Sequence, residues 1–135
     1  MNTKYRYART CVYNIKYRIV WCTKGKRKVL SDEIANALRL IIKDTEEKQM
    51  FRVESCEVID QSIVVCTVSS VPKASPSGIA SVLKSVSGRK LTLMYPKIRD
   101  KKLKEKLWNG SYFLETIGTA NELEKEKYIS KERNV

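Results

Sequence analysis

Residues 11–22 read CVYNIKYRIVWC, and their alternation constrains the fold more than any other stretch. Cys11, Tyr13, Ile15, Tyr17, Ile19 and Trp21 fall on one side, and Val12, Asn14, Lys16 and Arg18 on the other. A period of two over this length predicts a long strand with one apolar face. Such a face requires a covering layer of helices or a second sheet. FRVESCEVI (51–59) and SIVVCTV (62–68) are short, rich in β-branched residues and separated by Asp60-Gln61, which predicts a hairpin. The second of these is apolar on both faces and is therefore expected at the centre of the sheet.

The covering layer is also written in the sequence. Ser31 stands as a helix cap, Asp32 and Glu33 favour the first turn, and Ile34, Leu38, Ile41 and Ile42 recur at helical spacing, predicting a helix to about residue 48. Ser75-Pro76 starts a second helix with a stripe of Ile79, Val82, Leu83 and Val86. KIRDKKLKEKLW, after Tyr95-Pro96, lacks a stripe and reads as a loop or a short exposed helix. SYFLETIG reads as a fourth strand, and NELEKEKYISKERN as a polar terminal helix capped by Asn121. The order β-α-β-β-α-β-α predicts an α+β, ferredoxin-like fold: a four-stranded antiparallel sheet, two helices on one face, and the last helix free to lie on the other face or on a partner. The 135 residues suit a single domain, 1–135, with residues 1–10 expected as a flexible N-terminus.

Charge is unevenly placed. Residues 1–30 carry nine Lys or Arg and no acid, 31–72 four bases against eight acids, 73–110 ten against two, and 111–135 four against five. Two basic segments brought together by folding would give a one-sided positive field suited to a polyanion, and the net charge of +12 supports the same expectation. No segment joins basic residues to a strong amphipathic apolar face, so nucleic acid is preferred over a membrane surface. No apolar run long enough for a membrane span and no secretory signal is present, which points to a cytoplasmic protein.

The chain contains no histidine, which excludes a Ser-His triad, an imidazole general base and any metal site built on imidazole. Its four cysteines, Cys11, Cys22, Cys56 and Cys66, form no C-x-x-C spacing and lie in strand-like segments. They read as small buried hydrophobes, not as a zinc knuckle or a disulfide framework.

Three segments carry a family resemblance: VYNIKYRIVWCTKGKRKVL (12–30), VPKASPSGIASVLKSVSGRKL (71–91), and LWNGSYFLETIG (107–118) followed by a helix bearing Tyr128. Together they resemble the single-tyrosine transposases of bacterial insertion sequences, members of the HUH superfamily of DNA nickases, from about residue 11 to residue 132. The resemblance implies a ferredoxin-like protomer working as a homodimer on single-stranded DNA hairpins. It also implies a tyrosine that attacks a phosphodiester to give a phosphotyrosine intermediate, and a divalent ion held by a His-hydrophobic-His pair. Tyr128, twenty residues after Trp108, stands at the nucleophile position, with Glu124 and Glu132 one turn to either side. By residue type alone it would be one ordinary half-buried tyrosine among seven. The DNA-facing positions fall on Lys24, Lys26, Arg27 and Lys28 and on Lys84, Arg89 and Lys90.

The departure from the family lies at the histidine pair. Depending on register, the pair falls on Ser62 and Val64, on Ile63 and Val65, or on Gln61 and Ile63, and no register supplies an imidazole. The family's other common histidine, in the first strand, is Arg18 here. The expectation is a relative that keeps fold, dimer and binding of single-stranded or hairpin DNA but has lost metal-dependent nicking and strand transfer, needing no cofactor. Two alternatives remain. One is an active transposase using Tyr128 with Gln61, Glu132, Asp60 or Glu57 as oxygen ligands to magnesium or manganese. The other is a module that dimerises with an intact transposase and inhibits it.

Overall fold

A computed structural model describes residues 6–7, 11–98, 106–118 and the backbone of 122–133, with side chains in the last segment from 126 to 131. Six strands and three α-helices follow in chain order among the described residues: β1 (Arg6–Tyr7), β2 (Val12–Tyr13), β3 (Ile15–Cys22), α1 (Asp32–Glu46), β4 (Phe51–Ile59), β5 (Ile63–Ser70), α2 (Pro76–Met94), β6 (Phe113–Thr116) and α3 (Glu122–Arg133). Short 3-10 turns lie at Lys24–Lys26 and Pro96–Ile98.

The main sheet has the order β4-β5-β3-β6, antiparallel throughout. β3 and β4 are joined through α1 across the intervening β5, and β5 and β6 through α2 across β3. This is the ferredoxin-like arrangement expected from the element order. The doubly apolar segment is indeed central, between β4 and β3. The expected long first strand is interrupted at Asn14: β2 pairs with β1 in a separate two-stranded sheet, and β3 alone enters the main one. Arg6 and Tyr7, within the stretch expected as a flexible terminus, thus have strand partners.

The alternation of β3 decides which face is buried. Ile19 and Trp21 are buried, Tyr17 packs beside them, and their β5 partners Cys66, Val64 and Val68 are fully enclosed. Leu38, Ile41 and Ile42 of α1 and Ile79, Leu83 and Leu91 of α2 close the core from above. Each large side chain so enclosed contributes about 1.5–3 kcal/mol relative to exposure. The caps form as read: Ser31 Oγ accepts from Ile34 N and Ser75 Oγ from Gly78 N. On α2, Val82 and Val86 are only half-buried, and Ser87 sits in the core instead because its hydroxyl donates to the Leu83 carbonyl and accepts from Trp108 Nε1.

Candidate nucleic-acid interface

The functional geometry collects at the end of the sheet where β3 leaves and the β4–β5 turn closes. Asp60 and Gln61 both adopt left-handed conformations, φ 53° and 54°, uncommon for residues other than glycine. Three neighbouring backbone bonds hold them there. Ser62 N donates to the Ile59 carbonyl, Leu30 N to the Gln61 carbonyl at 2.9 Å, and Thr23 N to the Ser62 carbonyl at 2.9 Å. The stretch 23–30 therefore clasps the Asp60–Gln61 turn.

The strand register decides which of residues 61–65 face outward. Val64 is fully buried under the helices and Ser62 is 2% exposed, so a Ser62/Val64 pair would point into protein. Ile63 and Val65 lie on the opposite face, beside Cys22 and Val20 of β3, and Gln61 is exposed in the turn. Around them stand Glu57, exposed opposite Val65, and Asp60, whose carboxylate pairs with Lys28 Nζ at 3.2 Å. Arg18 pairs with Glu115 at 2.9 Å. Among the described residues, no three His, Cys, Asp or Glu side chains converge as a metal-ligand set. The donors present are one amide and separated carboxylates, one already engaged by a lysine, and they do not fit a divalent ion of the kind the imidazole pair would hold. The side chain of Glu132 lies outside the described residues.

The basic residues divide into two groups with different fates. Lys24, Lys26, Arg27 and Lys28 form one turn, and the fold brings up two further lysines that the chain order alone does not associate with it. Lys24 N donates to the Leu107 carbonyl, placing Lys106 alongside, and Arg27 Nη1 donates to the Ile98 carbonyl, placing Lys97 alongside. The guanidinium of Arg27 also reaches the Lys24 carbonyl, and the Arg27 carbonyl accepts from Thr23 Oγ, so this arginine pins the corner together. Lys26, Lys97 and Lys106 are exposed and make no ion pair among the described residues. The signal for Lys97 and Lys106 was present in the basic run after Tyr95-Pro96; what sequence could not show was that both ends of the run meet the 23–28 turn.

Lys84, Arg89 and Lys90 do not form a second cluster. Lys84 Nζ donates to the Asn109 and Ser111 carbonyls at 2.7 and 3.1 Å and lies over the Tyr112 ring. Partial burial pushes its pKa down, with the nearby Cys22 acting in the opposite sense. Lys90 turns toward α1, where it pairs with Asp44 at 3.4 Å. Arg89 is exposed and makes no ion pair among the described residues.

α3 carries Tyr128, and none of its described side chains, 126–131, belongs to the buried core. Residues 126–131 are all exposed, with Tyr128 at 49% and Ile129 at 48%. On the sheet face bearing Ile63 and Val65, Ile59 and Phe113 stand about half exposed.

The family model for the IS200-like transposases matches residues 11–132. The ISDra2 transposase TnpA of Deinococcus radiodurans is 28% identical over 123 residues, spanning 91% of this chain and 87% of that one. A crystal structure from Deinococcus radiodurans R1, of a protein assigned as a transposase, superposes with a TM-score of 0.78 at 25% identity, covering 93% and 96% of the two chains. A REP-associated tyrosine transposase, solved bound to a REP hairpin, shares the fold at a TM-score of 0.58 and 12% identity, over 90% of this chain and 67% of that one.

Proposed function

The chain belongs to the IS200-like transposase family, and from that premise we propose that it binds single-stranded and hairpin DNA as a homodimer without performing metal-dependent nicking or strand transfer. The observation that carries this reading is a contrast at one end of the sheet. The corner built by Lys24, Lys26, Lys97 and Lys106 offers positive charge, while the adjoining turn and the start of β5 present Gln61, Ile63 and Val65, with no imidazole in any register the family resemblance allows. Phosphate recognition needs only the former. Phosphoryl transfer through a weakly acidic phenol needs electrostatic stabilisation of the developing charge, which none of these side chains supplies. The dimer rests on two incomplete surfaces, an α3 exposed through its described side chains and a sheet face with apolar residues on it.

The test is binding of a labelled DNA hairpin with a single-stranded flank against a blunt duplex of equal length. The hairpin is preferred, and log affinity falls against log salt with a slope of about −4 if roughly six phosphates are engaged. Equal affinity for both DNAs, or binding insensitive to salt, would reduce the basic corner to ordinary surface charge.

A further inference from the structure

Cys56 of β4 and Cys66 of β5 are directly opposed in the strand register, on the face covered by the helices. We propose that these two thiols form a paired oxidation site, with Cys56 as the attacking thiol and Cys66 as the resolving one, that takes a hydroperoxide as its co-reactant and closes an intramolecular disulfide. Directly opposed residues of an antiparallel pair have Cα atoms about 4.5–5.5 Å apart. That separation lies inside the range of roughly 4.4–6.8 Å that a disulfide spans, so the bridge needs rotation of side chains more than movement of backbone.

The two positions differ in the ways that assign the roles. Cys66 is fully enclosed, whereas Cys56 is only partly covered and sits on an edge strand of the sheet. The adjacent Cys66 thiol lowers the pKa of Cys56 and the Arg39 guanidinium acts in the same direction, against burial and Glu57. Arg39 is held in place, since its Nε donates to the Cys56 carbonyl at 3.0 Å and its Nη1 to Asn36 Oδ1 at 2.9 Å. The same pairing and burial push Cys66 up, so it stays a thiol until a sulfenic acid forms beside it.

The reaction balances as two steps. The Cys56 thiolate attacks one oxygen of the hydroperoxide, the O–O bond breaks, and the departing oxygen leaves as water or an alcohol after taking up a proton, giving a Cys56 sulfenic acid. Cys66 sulfur then attacks Cys56 sulfur, and the sulfenic hydroxyl leaves as water with the Cys66 proton. Two electrons pass from the thiols to the peroxide. Cys22 lies on the opposite face of the sheet and Cys11 precedes β2, so neither is placed to intercept the intermediate.

The full-length protein, treated with hydrogen peroxide at low molar excess, should lose two of its four alkylatable thiols and two mass units, and peptide mapping should join Cys56 to Cys66. Dithiothreitol should restore all four thiols. In Cys66→Ala, dimedone should label Cys56, and in Cys56→Ser no bridge should form. Preferential oxidation of Cys11 or Cys22, a bridge between two chains, or a Cys56 no faster to oxidise than the other thiols in the wild-type protein would overturn the proposal. The wild-type map needs no variant, so a misfolded mutant would not shield it.

Discussion

Gly88 of α2 lies so close to Trp108 that a Cβ on it would stand 2.9 Å from the indole Cδ1 and 3.1 Å from Nε1. The indole cannot yield freely, because Trp108 is 7% exposed, meets Trp21 edge-on at 5.8 Å and donates its Nε1 proton to Ser87 Oγ. Gly88→Ala would gain up to about 1 kcal/mol of helix propensity, but overpacking typically costs about 1–3 kcal/mol. A net destabilisation of about 1–2 kcal/mol is expected from urea unfolding, with the m-value unchanged.

Lys84 is expected to act as a structural clamp in addition to any role toward DNA. Lys84→Met removes both donations to the 109–111 loop and should destabilise the protein by about 1 kcal/mol. The pH dependence has a definite sign. The folded pKa is lowered, so the unfolded chain holds the proton more tightly, and the stability owed to this residue rises as pH climbs through the window just below 10.5. Thermal melts of wild type and Lys84→Met across that window should therefore diverge in favour of wild type; convergence would contradict the assignment.

Neutralising the corner lysines should separate positioning from stability. Lys26→Gln with Lys97→Gln alters exposed positions outside any described ion pair, so the free energy of unfolding should stay within about 0.5 kcal/mol of wild type. The slope of log affinity against log salt for single-stranded DNA should become shallower by about 0.7 for each phosphate no longer neutralised. Lys90→Gln, which removes an ion pair to Asp44, should leave that slope nearly unchanged.

Much of this architecture was legible in local pattern. The alternation over residues 15–22, the Ser31 and Ser75 caps and the doubly apolar β5 each have a direct physical cause within a few residues, and these elements appear where that cause places them. The site was less legible because it depends on residues distant in sequence. Lys84, Arg89 and Lys90 look like one cluster along the chain, yet on a helix they diverge, and Asp44 and the 109–111 loop claim two of them. Lys97 and Lys106 join the 23–28 turn only through the hydrogen bonds of Arg27 and Lys24. The register of residues 61–65 against the family resemblance was ambiguous along the chain; what the fold adds is that Ser62 and Val64 are buried. The break at Asn14 followed from pairing of β2 with β1, which the alternation alone does not reveal.

The proposal that the protein does not nick DNA is tested most directly by a covalent-adduct assay. The purified protein is incubated with a single-stranded DNA carrying a hairpin and flanks, in millimolar magnesium or manganese, and resolved under denaturing conditions. Because the chain contains no histidine, no protein–DNA adduct and no shortened strand are expected, even where native gels show the hairpin bound. A metal-dependent adduct that Tyr128→Phe abolishes would contradict this and establish an active transposase working through oxygen ligands.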